Sequence, residues 1–157
     1  MTSTLHPDMT PLADLVGTWK GTGSGSYPTI EDFEYLEELT FSHVGKPFMA
    51  MSQRTRHPTT SVPMHAETGY IRIPNSNTAE LIVAHPTGLS EVGTGTVETG
   101  SLTIRSVVYA TPSAKEVSAV EREIRWNESE LIYNLSMAAV GQPMQHHLAA
   151  KLIRVTG

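Results

Sequence analysis

Apolar and polar positions alternate in short stretches along most of this chain. Phe33, Tyr35, Leu39 and Phe41 keep a period of two, broken only by Glu37. Leu102, Ile104 and Val108 alternate with Ser106 between them, and Leu131, Tyr133, Leu135 and Met137 do the same. Turn-forming clusters separate such stretches at short intervals: Gly45-Lys46-Pro47, His57-Pro58, Pro74-Asn75-Ser76-Asn77, Pro86-Thr87-Gly88, Thr99-Gly100, Thr111-Pro112-Ser113, Trp126-Asn127-Glu128 and Gly141-Gln142-Pro143. This spacing predicts an all-β sandwich or barrel of roughly ten antiparallel strands. One short N-terminal helix is expected, with Thr10 as its cap, Pro11 at the first helical position, Leu12, Leu15 and Val16 as an apolar face, and Gly17 as its end. Residues 113–120 read equally well as a turn of helix or the start of a strand. No linker, low-complexity tract or repeat divides residues 1–157, so one domain is expected.

The polar positions add a second expectation. Ser52, Arg54 and Arg56 share one phase, while Gln53 and Thr55 occupy the other. A barrel filled only by its own side chains would show a cleaner apolar phase, so this mixture points to an internal cavity with polar contacts.

Composition narrows the chemistry. Hydrophobic residues make up 39 % and charged residues 17 % of 157 residues, which excludes a disordered chain and allows a sizeable core. A net charge of −5 argues against a nucleic-acid partner, because phosphate binding needs a surplus of Lys and Arg. No segment approaches the roughly 18 apolar residues of a membrane span, and the first residues carry no basic-then-apolar leader. A cytoplasmic protein without a membrane partner is therefore expected. Cysteine is absent, which removes disulfides, thiolate catalysis and cysteine-ligated metals, and leaves seven histidines as the strong ligands.

His146 and His147 are adjacent on what reads as the last strand. Neighbours on a strand face opposite ways, so only one can enter a cavity, where a single imidazole suits one axial bond to a haem iron. The more apolar phase, Leu148, Ala150 and Leu152, is in register with His146 and slightly favours it. His6, His43, His57, His65 and His85 show no partner spacing and read as structural or solvated. Glu31, Asp32, Glu34, Glu37 and Glu38 read as a solvated rim, and Met49, Met51, Met137 and Met144 as core filler. No nucleophile elbow or paired-histidine metal motif is present. Gly17-x-Trp19-x-Gly21-x-Gly23 fits neither a dinucleotide fingerprint nor a phosphate loop. It reads as a first strand whose glycines permit a bend and whose tryptophan plugs one barrel end.

That glycine-tryptophan run, continued by Tyr27-Pro28-Thr29-Ile30, resembles the signature of the nitrobindins. Similar segments follow in order: Phe33-Glu34-Tyr35-Leu36-Glu37-Glu38, His43-Val44-Gly45-Lys46-Pro47, His65-Ala66-Glu67-Thr68-Gly69-Tyr70, Ala114-Lys115-Glu116-Val117, and Val140-Gly141-Gln142-Pro143-Met144-Gln145-His146-His147-Leu148. The resemblance implies a ten-stranded antiparallel barrel of the calycin, fatty-acid-binding-protein-like kind, with one haem b per chain seated at one mouth. It implies His147 as the axial iron ligand, against the phase preference for His146, with Thr29 and Lys115 beside the haem. It implies a ferric haem protein that isomerises peroxynitrite to nitrate and binds nitric oxide, in detoxification or sensing, with no catalytic residue beyond the haem iron. Family habit and an apolar outer face on the last strand both imply a homodimer. The alternative is a lipocalin-like carrier of fatty acids or another apolar ligand, whose carboxylate would be held by an internal Arg54, Arg56 or Arg72.

Overall fold

The computed structural model describes residues 3–156. A 3-10 helix, Pro7–Leu15, precedes ten strands: β1 (Gly17–Tyr27), β2 (Ile30–Ser42), β3 (Met49–Arg56), β4 (Pro63–Asn75), β5 (Thr78–His85), β6 (Leu89–Glu98), β7 (Ser101–Ala110), β8 (Val117–Trp126), β9 (Glu130–Ala139) and β10 (Gln145–Arg154). Each strand pairs antiparallel with its neighbour in sequence, and β1 pairs with β10 to close the barrel. The expected ten-stranded antiparallel barrel is the observed fold. Eight turn clusters fall in eight of the nine connections between strands, and Pro28-Thr29 makes the ninth.

The helix begins earlier than expected. His6, not Thr10, is its cap and accepts the Asp8 N–H on Nδ1 at 3.2 Å, while Pro7 stands at the first position. Thr10 lies inside and donates its hydroxyl to the Pro7 carbonyl at 2.7 Å. Residues 113–120 divide between a turn closed by Ala114 N–H on the Thr111 carbonyl and the first residues of β8.

The barrel has one filled end and one open end. At the filled end Met9, Leu12 and Leu15 are fully buried against Trp19, Phe41, Met49 and Ile71. Burying each such side chain is worth about 1.5–3 kcal/mol, which holds a short helix that propensity alone would not. Trp19 plugs this end as expected: it is fully buried, and its Nε1–H donates to the Leu15 carbonyl at 2.9 Å. Arg154 stacks 4.3 Å from the centre of the Trp19 ring and donates to the Val16 carbonyl at 2.6 Å, latching the last strand to the helix end. At the opposite end lie the connections β1–β2, β3–β4, β5–β6, β7–β8 and β9–β10, which rim an open mouth. Among the described residues no helix is long and apolar enough to cross a membrane.

The glycine-rich first strand has no break in its pairing with β2 before Gly25, running in continuous register from Gly17. Its glycines make room instead: a Cβ on Gly23 would lie 2.3 Å from the Tyr35 ring, and one on Gly25 would lie 2.2 Å from the Phe33 ring. Two aromatic rings of β2 can therefore lean over β1 toward the mouth.

Candidate functional site

Between the mouth and the filled end lies a cavity of about 350 Å³, within the size range of small-molecule sites. The phase expectation for β3 holds: Gln53 and Thr55 are buried and line the cavity, while Ser52, Arg54 and Arg56 are exposed. Near the mouth the walls are apolar, from Ile30, Phe33, Leu89, Val117, Met137 and Leu148. His147 stands among them.

A β-bulge puts it there. In the pairing of β10 with β9, His146 lies opposite Ser136 and Leu148 opposite Leu135, so His147 is an extra residue without a partner. Strict alternation is lost at that point. His147 and Leu148 both line the cavity, while His146 is exposed on the outer wall. The phase preference for His146 is thereby corrected, because it assumed an unbroken strand.

The His147 ring is fixed from three sides. Its Nδ1–H donates to the Ser26 carbonyl at 3.1 Å, the tautomer that leaves a lone pair on Nε2. Tyr27 and Phe33 meet the ring edge-on, with centroids at 5.3 and 6.2 Å. Tyr27 is itself anchored across the barrel, accepting the Ala139 N–H at 2.9 Å and donating to the Met137 carbonyl at 3.1 Å. Burial holds the His147 pKa below the ordinary imidazole value, with the Ser26 carbonyl pulling weakly the other way. The ring is therefore neutral at pH 7, the form that ligates a metal. A half-buried neutral imidazole with a fixed Nδ1–H and a free Nε2, walled by apolar side chains, fits the proximal side of a haem site.

Thr29 and Lys115 are exposed and do not line the cavity. Thr29 lies in the β1–β2 turn and Lys115 in the β7–β8 loop, both on the rim of the mouth, next to the lining residues Ile30 and Val117. Of the signature positions, Trp19 and the glycines act through packing and lie outside the cavity.

Below His147 the cavity is polar, and here sequence reasoning missed most of the groups. Glu37 is not on a solvated rim: it is 4 % exposed, whereas Glu31, Asp32 and Glu34 are exposed and Glu38 pairs with Arg54 and Lys20 on the outer wall. Tyr133 donates to Glu37 Oε1 at 2.5 Å, Gln53 donates to Oε2 at 3.2 Å, and the Tyr35 and Tyr133 hydroxyls meet at 2.7 Å. Burial pushes the Glu37 pKa up to about 7, against the lowering effect of those hydrogen bonds. Burial also raises both tyrosines, which stay protonated.

A second cluster surrounds Arg122. Its Nη1 donates to Glu67 Oε1 at 2.7 Å, its Nε to Glu91 Oε1 at 3.2 Å, and its Nη2 bridges both carboxylates. His85 Nε2 meets Glu91 Oε2 at 2.6 Å, and His65 Nε2 meets His85 Nδ1 at 3.1 Å. Burial alone would raise the two glutamates, but the guanidinium and the histidine contacts hold both below the usual carboxylate range. His65 and His85 are thus cavity residues, not solvated ones. Met51 and Met137 also line the cavity rather than only filling core. The missed groups carried one signal, a polar residue breaking an apolar phase: Glu37 on β2, and Arg122 between Val120 and Ile124 on β8.

The Glu37 shift has a measurable sign. A carboxyl whose folded pKa is raised contributes stability below its unfolded pKa of 4.5 and loses it as pH rises through 7. That loss is about 3 kcal/mol. Glu37→Gln removes the charge, keeps one oxygen to accept from Tyr133, and turns the other position into an NH2 that can donate to the buried, unpartnered Gln53 Oε1 once that amide flips. Urea unfolding should show the variant more stable than the parent at pH 8 by up to about that amount, and level with it at pH 4. A constant difference across that range would contradict the buried, shifted carboxyl.

Comparisons with known proteins bear on this site. The family described as "THAP4-like, heme-binding beta-barrel domain" matches residues 8–154. Peroxynitrite isomerase 2 of Mycobacterium marinum is 52 % identical, covering 98 % of this chain and 99 % of that protein. The peroxynitrite isomerase of Nocardia farcinica is 49 % identical, covering 96 % and 92 %. The crystal structure of Rv2717c from M. tuberculosis superposes with a TM-score of 0.91 at 44 % identity, over 98 % of this chain and all of that one. Barrel, haem-compatible imidazole pocket and full-length similarity agree: the chain belongs to the THAP4-like, heme-binding β-barrel family, the nitrobindins.

Proposed function

We propose that this chain is a haem-dependent peroxynitrite isomerase, with one haem b held at the mouth by His147 Nε2. The observation that carries the reading is the bulged His147, its Nδ1 bound to Ser26 and its Nε2 free in an apolar pocket. A ferric haem held there would supply a Lewis-acidic iron to peroxynitrite or nitric oxide. The chain's own part is to hold and screen. The Ser26 carbonyl fixes the imidazole tautomer, and Tyr27 and Phe33 fix its plane. Ile30, Leu89, Val117, Met137 and Leu148 line the pocket with apolar surface and would keep bulk water from a bound haem. Thr29 and Lys115, exposed on the rim, would flank a haem at the mouth in this reading. Converting peroxynitrite to nitrate rearranges one anion into another, so no net proton transfer is required and no general base need be assigned.

The fatty-acid-carrier reading loses its counter-ion. Arg54, Arg56 and Arg72 are all exposed on the outer wall. The arginine inside the barrel is Arg122, already saturated by two carboxylates. An interior holding Glu67, Glu91 and Glu37 around one guanidinium repels a fatty-acid carboxylate.

Titrating the purified chain with ferric haem tests the proposal: the Soret band should shift and saturate at one haem per chain, and an unchanged spectrum would overturn it. The lowered His147 pKa adds a pH profile. A folded imidazole with a depressed pKa keeps its neutral, ligating form at pH 7 and loses it only as pH falls through that depressed value. Haem release followed at the Soret band should therefore have its midpoint below the ordinary imidazole pKa of about 6.5. In the same reading the chain is a single-domain cytoplasmic protein that works as a homodimer. An exposed apolar row across four neighbouring strands, Tyr70, Ile82, Val92 and Val107, supports a self-contact. Sedimentation equilibrium reads the mass directly.

A further inference from the structure

The β4–β5 wall of the cavity, near the mouth, holds an arrangement that the haem reading does not use. His65 and Glu67 lie on β4, two residues apart on the inner face, and His85 ends β5 beside them. Three ligand atoms converge: His65 Nε2 is 3.1 Å from His85 Nδ1, His85 Nδ1 is 3.5 Å from Glu67 Oε2, and His65 Nε2 is 3.8 Å from Glu67 Oε2. A point equidistant from the corners of that triangle lies about 2.0 Å from each, which is the bond length of zinc to imidazole nitrogen or carboxylate oxygen.

We infer that His65, Glu67 and His85 form a binding site for a borderline divalent transition-metal ion such as Zn²⁺, on the β4–β5 wall of the cavity near its mouth and with ligands distinct from His147. Two imidazoles and one carboxylate are a donor set that suits such ions. Two of the three ligands, His85 and Glu67, also have the outer support that metal sites use. Glu91 Oε2 accepts from His85 Nε2 at 2.6 Å, which fixes the tautomer that leaves Nδ1 as a lone pair. Arg122 donates to both oxygens of Glu67, and Oε2 retains a second lone pair for the ion. Glu67 and Glu91 against Arg122 leave one net negative charge to receive a dication. Access is from the His65 side, whose side chain is 36 % exposed, against 12 % for His85 and 7 % for Glu67. All three residues line the cavity, so the remaining coordination positions face it.

The test is isothermal titration of the purified chain with Zn²⁺, with and without bound haem, alongside the visible spectrum of the haem-free chain with Co²⁺. The expected result is saturation at one Zn²⁺ per chain and Co²⁺ bands of a four-coordinate nitrogen and oxygen site. His65→Ala and His85→Asn should each abolish saturable binding, while His146→Ala and His147→Ala leave it intact. Retention in His147→Ala separates this site from the haem pocket, so either can fail without the other. No saturable binding, binding indifferent to both His65→Ala and His85→Asn, or binding lost in His146→Ala would overturn the assignment. Parent Co²⁺ bands without nitrogen ligation would do so independently of whether any variant folds.

Discussion

Arg122→Met should destabilise the barrel by about 3–5 kcal/mol at pH 7, seen as a fall in the urea midpoint at unchanged slope. Arg122 is 9 % exposed and, among the described residues, is the only Lys or Arg bonded to the two buried carboxylates Glu67 and Glu91. Methionine fills similar volume but leaves both charges uncompensated. The cost is therefore that of two stranded carboxylates, rather than of one lost contact. Its pH dependence follows. In the parent, the two glutamates have depressed folded pKa values, so their contribution is present above about 4.5 and lost as pH falls. In Arg122→Met the guanidinium no longer opposes burial, their folded values rise, and protonation relieves the strain. The gap between parent and variant should thus be widest at neutral pH and narrow toward pH 4. Adding Glu67→Gln and Glu91→Gln should recover much of the loss at pH 7. A deficit under about 1 kcal/mol would mean that water, not Arg122, compensates these carboxylates.

The second large effect separates two adjacent histidines. His147→Ala should remove the axial bond and with it the Soret shift on haem addition. His146→Ala should bind haem as the parent does. The difference comes from the bulge alone: His146 is paired opposite Ser136 and exposed, while the unpaired His147 is turned into the pocket. Removing the imidazole leaves the Ser26 carbonyl and the apolar wall with nothing to offer an iron. Added imidazole should restore a six- or five-coordinate spectrum in His147→Ala, because the space it vacates lies in the cavity. If His146→Ala were the variant that lost the Soret shift, the phase preference would be right and the bulge would not persist in the haem-bound chain.

Why some of this was legible in the sequence and some was not has a physical basis. Strand number and the filled end were readable because period-two alternation and turn residues are local properties. Phe33 to Phe41 and Leu131 to Met137 point inward as their spacing requires. Gln53 and Thr55 foretold a polar cavity because an inward phase cannot hide its polarity. The inward side of His147 was not readable from periodicity. A bulge inserts one residue without any side-chain mark, and residue type at Gln145-His146-His147-Leu148 is the same with or without it. Only resemblance to the family selected it. The Arg122 cluster was missed for another reason. Glu67, His85, Glu91 and Arg122 are brought together only when the barrel closes β4, β5 and β6 across from β8, and of these Arg122 alone breaks an apolar phase on its own strand. Glu37 carried the same signal, since it broke an otherwise apolar phase on its own strand.

In the proposed reading, haem held by His147 makes this chain a peroxynitrite isomerase. Stopped-flow decay of peroxynitrite, with nitrate quantified, tests it most directly. The decay rate should rise in proportion to the concentration of haem-loaded protein, with nitrate as the product and no acceleration by the haem-free chain or His147→Ala mixed with haem. A haem-loaded protein that leaves the decay at the rate of buffer alone would contradict the account.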